Sequence, residues 1–62
     1  MESLLKYLSD SDLKEIENMP APNYKQAIVL KESFHRMKNK GDFLIMLKLY
    51  IKCYWTYPEL FI

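Results

Sequence analysis

The sequence predicts an all-α protein, a small bundle of three main helices preceded by a short N-terminal helical turn. Apolar residues recur at the three- and four-residue spacing of a helix face in successive stretches of the chain. Capping residues precede these stretches, and proline or glycine follows them. Because 62 residues lie below the common domain size of about 100–150, residues 1–62 form a single domain.

The first main helix is predicted at about 10–18. Ser9 and Asp12 have the spacing of a capping box, in which each side chain accepts a hydrogen bond from the other residue's backbone N–H. Pro20 cannot continue the helix, so the helix must end near Asn18. Apolar residues within 2–8 predict the helical turn that precedes it.

The second main helix is predicted at about 24–40. Asn23 is a suitable N-cap, with Gln26 at the third helical position to complete a second capping box. Gly41 is the only glycine, and it lies where a residue with left-handed backbone would end the helix.

The third helix is predicted at about 43–55, with Asp42 as its cap, and it is apolar on nearly every side. Lys48 and Lys52 are its only charged residues. Such a helix belongs inside a large protein, in a membrane or between subunits. We expect it to carry more apolar surface than this short chain can cover by itself. Most of the residues expected to bind a partner are of types that are enriched at protein interfaces, and the others are their apolar neighbours in the chain. The full set is Met46, Leu49, Tyr50, Tyr54, Trp55, Tyr57 and Phe61.

The leading functional expectation is a non-enzymatic interaction or regulatory protein whose partner is a second copy or a larger host protein, giving a homo-oligomer or a hetero-complex. The apolar segment 60–62 is expected to dock on the core or on that partner. The amino-acid usage also suggests an inhibitor or accessory protein of a phage or mobile element.

Two alternatives remain open. One is a helix-turn-helix-like protein that contacts nucleic acid through Arg36, Lys38 and Lys40 at the basic end of the second helix, although a net charge of +4 for residues 23–62 is modest for this role. The other is peripheral membrane association. A transmembrane span is not expected, because the apolar run is shorter than the about 20 residues that crossing a bilayer requires.

Catalysis is not expected. One cysteine and one histidine can form neither an internal disulfide nor a four-ligand zinc site. A single glycine rules out a glycine-rich phosphate loop, and a body this small is not expected to hold a ligand pocket of about 300–1,000 Å³. No cofactor is expected. The chain begins without a secretory signal pattern, so a cytoplasmic location is expected.

Overall fold

A computed structural model of the chain describes residues 5–37 and 40–62. It contains three α-helices and, in the described residues, no strand, which confirms the predicted fold class. The helices are α1 (Asp10–Asn18), α2 (Tyr24–Arg36) and α3 (Phe43–Thr56), with short 3-10 helices at Lys40–Asp42 and Pro58–Phe61. The helical turn predicted over residues 2–8 lies partly outside the described residues; within them, the Leu8 N–H donates to the Leu5 carbonyl over 3.0 Å.

Both predicted capping boxes are present, so local side chains set where α1 and α2 begin. The Ser9 N–H donates to the Asp12 carboxylate over 3.0 Å, and the Asp12 N–H donates to the Ser9 hydroxyl over 3.2 Å. At α2 the same exchange joins Asn23 and Gln26, over 3.1 and 2.8 Å. Each box satisfies two N–H groups that the first turn of a helix leaves without a partner.

Helix α3 is the centre of the molecule, and the other two helices pack on it. Helix α2 runs antiparallel to α3, because its first residue, Tyr24, contacts Tyr57 (ring centroids 5.3 Å apart), whereas Phe34 near its end contacts Phe43 (6.1 Å). Helix α1 packs on α3 through Ile16, which forms one buried cluster with Leu47 and Ile51. The nearly all-round apolar character of α3 is therefore explained in part by its two helical neighbours.

The core is small. Ile16 of α1 and Leu47 and Ile51 of α3 have no exposed surface and form its centre. Partly buried apolar side chains surround this centre; they are Leu5, Leu8, Leu13, Met19, Phe34 and Phe43. Since a domain of about 60 residues buries only about 60% of the surface of its unfolded chain, each of the central side chains matters for stability.

The link between α2 and α3 differs from the prediction. Helix α2 ends at Arg36 rather than at residue 40, because Met37 adopts extended backbone (φ −63°, ψ 128°). A helix that continued to residue 40 would leave only two residues to reverse the chain. Gly41 lies in the 3-10 helix without a positive φ, so its predicted left-handed role is wrong. Asp42 precedes α3 but makes no side-chain capping hydrogen bond, so its predicted capping role is also wrong.

Candidate protein-interaction surface

Helix α3 keeps three large apolar side chains in contact with solvent. Leu44 and Ile45 in its first turn are 51% and 62% exposed, and Trp55 in its last turn is 44% exposed. Leu44 and Trp55 are separated by about 16 Å along the helix axis, with the buried Leu47 and Ile51 between them. We call the three exposed residues together the α3 surface. Leu44 and Ile45 were not among the residues predicted to bind a partner, because the sequence does not show which side of a nearly all-apolar helix is left uncovered.

The structure distributes the seven predicted partner-binding residues over three levels of burial. Trp55 is exposed, and Tyr50 is buried with only 6% of its surface accessible. The other five are half-buried; they are Met46, Leu49, Tyr54, Tyr57 and Phe61. In this conformation Trp55 is therefore the member of the set best placed to meet another protein.

Tyr50 lies at the centre of an aromatic cluster between α2 and α3. Its ring stacks on Phe34 with centroids 4.3 Å apart, and the edge of Phe61 meets it at 5.1 Å. The Tyr50 hydroxyl lies 3.3 Å from His35 Nε2, within hydrogen-bond distance. Burial raises the pKa of the Tyr50 hydroxyl, so this group stays protonated at neutral pH.

The residues after α3 fold back on the molecule, as one branch of the prediction expected. The Tyr57 hydroxyl donates to the Pro22 carbonyl over 3.0 Å, and Lys31 Nζ donates to the Leu60 carbonyl over 2.6 Å. Phe61 packs against α3, whereas Ile62 is fully exposed. Residues 57–61 thus cover part of the aromatic surface of α3 from within the chain.

The two lysines of α3 are engaged by α1. Lys48 Nζ lies 2.9 Å from a Glu15 carboxylate oxygen and 3.3 Å from one of Asp12, and Lys52 Nζ donates to the Glu17 carbonyl over 3.3 Å. The hydrogen bond to Glu15 raises the pKa of Lys48, and the Ser9 N–H together with Lys48 lowers the pKa of Asp12. The acidic first third of the chain therefore offsets positive charge on α3.

Cys53 and His35, the only conventional candidates for nucleophilic catalysis, lie in different environments. Cys53 is fully buried, and this burial raises the pKa of its thiol, which disfavours the nucleophilic thiolate. His35 is exposed in the last turn of α2. The structure therefore offers no activated thiol at the surface in the part of the chain that it describes.

The residues of the nucleic-acid alternative are only partly described. Arg36 ends α2 with its side chain 82% exposed and 3.9 Å from the Glu32 carboxylate. Lys38 lies outside the described residues, and of Lys40 only the backbone, in the 3-10 helix, is described. A helix-turn-helix pair would pack its two helices on each other, whereas α1 and α2 make their main contacts with α3.

One feature that the sequence did not predict is an open groove of about 660 Å³ between the proline-containing connector and α2. This volume lies within the range of about 300–1,000 Å³ that is usual for ligand pockets, and a pocket of that size was not expected in so small a protein. Its lining is mostly apolar, with exposed Val29 on one side. The residues that line it are Pro20, Ala21, Pro22, Asn23, Lys25, Gln26, Val29 and Leu30. The signal that could have pointed to it is the Pro-Ala-Pro sequence, because proline restricts the backbone of the connector and cannot continue a helix.

Among the residues that the structure describes, no helix is both long enough and apolar enough to cross a membrane.

Comparison with known proteins provides no family for this chain. No protein-family model, no curated protein and no solved structure matches it. A functional proposal must therefore rest on the residues of the chain itself.

Proposed function

We propose that the chain is a small non-enzymatic interaction protein that docks the α3 surface on an apolar surface of another protein chain. The observation that carries this proposal is the exposure of Leu44, Ile45 and Trp55 on the same helix that forms the core. A tryptophan that is nearly half exposed is a typical anchor of a protein interface, because its burial removes a large apolar area from water.

The charges of α3 favour a protein partner over an anionic membrane. Both lysines of the helix already have acceptors in α1: Lys48 binds Asp12 and Glu15, and Lys52 binds the Glu17 carbonyl. A phosphate group would have to compete with these contacts. Docking on an apolar protein surface leaves these lysine contacts in place. It also removes the exposed apolar side chains from water, which favours binding.

A second copy of the chain is the partner to which the proposal commits. A second copy carries the same exposed Leu44, Ile45 and Trp55, so a two-fold contact can pair the α3 surface of one copy with that of the other. Self-association therefore requires no chemistry beyond what is present on this chain.

Sedimentation of the purified chain from micromolar to millimolar concentration tests the proposal. The wild type is expected to form a dimer or higher oligomer, and Trp55→Ala and Leu44→Asp are each expected to weaken association at least about tenfold, as for the central residues of an interface. Val29→Asp is the matched control, since it alters an equally exposed apolar residue on α2 and should associate like the wild type.

Three outcomes would contradict the proposal. The first is a wild type that stays monomeric at millimolar concentration. The second is weaker association of the Val29→Asp variant together with unchanged association of the Trp55→Ala variant, because the interface would then lie on α2. The third is binding to duplex DNA that falls steeply with salt, or flotation with anionic vesicles, by a wild type that does not self-associate.

A further inference from the structure

We propose that Lys31, Tyr50 and Tyr54 form a binding site for an aromatic side chain, and that Phe61 is its displaceable occupant within the chain. The site lies between α2 and α3, and none of its three residues belongs to the α3 surface. It goes beyond the proposed function, because it assigns a peptide-binding site that the exposed residues of α3 do not require.

The contacts of Phe61 define the chemistry of the site. Its ring meets Tyr50 and Tyr54 edge to face, with centroids 5.1 and 5.4 Å apart. The Lys31 ammonium lies 5.3 Å from the Phe61 ring centroid and donates to the Leu60 carbonyl over 2.6 Å. Two tyrosines and one cation thus hold an aromatic ring and the backbone carbonyl that precedes it.

Opening of the segment would expose the rings that Phe61 covers. Tyr50 is only 6% exposed and Tyr54 is half-buried, and the edge-to-face contacts of Phe61 contribute to this burial. Lys31 would exchange the Leu60 carbonyl for water at the same time. Because exposed ring surface is unfavourable in water, the open site favours another segment that supplies a ring and a carbonyl in the same positions.

The segment that fills the site is attached in a way that permits release. Pro58–Phe61 is one short 3-10 helix, and the Leu60 N–H donates to the Tyr57 carbonyl over 3.1 Å. Tyr57 itself is held to the body of the molecule by its N–H, which donates to the Cys53 carbonyl over 2.8 Å, and by its hydroxyl. The segment can therefore open beyond Tyr57 without unwinding α3.

The ligand class follows from these contacts. It is an extended or 3-10 peptide with a phenylalanine or another aromatic residue, preceded by a residue whose carbonyl accepts from Lys31. Residues 58–62 of this same chain, in which Phe61 is the only aromatic residue, are the probe with which the site can be tested when supplied as a separate peptide with blocked ends.

Amide hydrogen exchange of the full chain tests whether Lys31 holds the Pro58–Phe61 segment on the body of the molecule. Lys31→Met removes the donor and keeps the apolar stem, so exchange of the Leu60 amide should become about tenfold faster or more. Lys31→Arg should restore slow exchange, and Lys25→Met, at an exposed lysine of the same helix, should leave it unchanged. The Tyr57 amide should exchange alike in all four chains, which shows that α3 remains folded. Leu60 exchange that is equal in Lys31→Met and Lys25→Met would overturn the proposal.

Binding of the separate peptide tests the site itself. In the Phe61→Ala chain the peptide should shift the NMR signals of the Tyr50 and Tyr54 rings, and it should bind at least about tenfold more weakly to the wild type, whose own Phe61 competes. A peptide with alanine in place of the phenylalanine should shift neither ring. No shift in the Phe61→Ala chain, or equal shifts in both chains, would refute the site. Because the peptide binds away from Leu44, Ile45 and Trp55, this result is independent of whether the chain self-associates.

Discussion

Replacing Ile16 with alanine should remove much of the stability of the protein. Ile16 is the only fully buried residue of α1, and it joins this helix to Leu47 and Ile51 of α3. Truncation of a fully buried isoleucine to alanine costs about 2–5 kcal/mol, since the lost burial and the cavity both count. At about 0.05–0.15 kcal/mol per residue, a chain of this length has about 3–9 kcal/mol in all. The substitution should therefore cost from about a quarter to all of the folding free energy.

Urea denaturation followed by circular dichroism at helical wavelengths measures this loss. The midpoint should fall strongly for Ile16→Ala and by the equivalent of about 0.5–1.5 kcal/mol for Ile16→Val. Val29→Ala, at a residue that is 58% exposed, is the matched control and should change stability by less than about 0.5 kcal/mol. If Ile16→Ala cost no more than Val29→Ala, the packing of α1 on α3 described above would be wrong.

Three further predictions follow from the caps, the ion pairs and the buried thiol. Asn23→Ala removes one half of the α2 capping box and should cost about 1 kcal/mol in the same denaturation assay, whereas Asn23→Ser should cost less. Because the pKa of Asp12 is lowered in the folded protein, its contribution to stability is present above the unfolded pKa and lost as the pH falls through the folded one. Acid titration of Asp12→Asn should therefore show a smaller loss of stability below about pH 4 than the wild type does. Cys53 should react with a thiol reagent far more slowly in the folded chain than in urea, and equal rates would contradict its burial.

The starts of α1 and α2 could be predicted because local patterns determine them. Ser9 with Asp12 and Asn23 with Gln26 carry their partners three residues away, so the capping boxes can be read directly from the sequence. The end of α2 could not be predicted in this way. Helix α2 ends where Met37 adopts extended backbone, and no capping pattern in the sequence marks this position.

The exposed side of α3 could be predicted only in part. The sequence indicates correctly that this helix has few polar residues, and Trp55 is exposed as expected. It does not indicate which apolar residues its neighbours cover: Tyr50 is buried by Phe34 and Phe61, whereas Leu44 stays exposed. Phe34 and Phe61 lie on other elements, and so their contact with Tyr50 is a property of the tertiary fold. That the chain binds a protein partner stays a prediction.

Fluorescence of the purified chain at rising concentration tests the central claim most directly, because Trp55 is the only tryptophan and belongs to the α3 surface. If a second copy covers this residue, its emission should shift to shorter wavelength and its quenching by acrylamide should fall as the concentration rises to millimolar. The Leu44→Asp chain should show neither change over the same range. Emission and quenching of the wild type that do not vary with concentration would show that Trp55 remains in water, which contradicts docking through this surface.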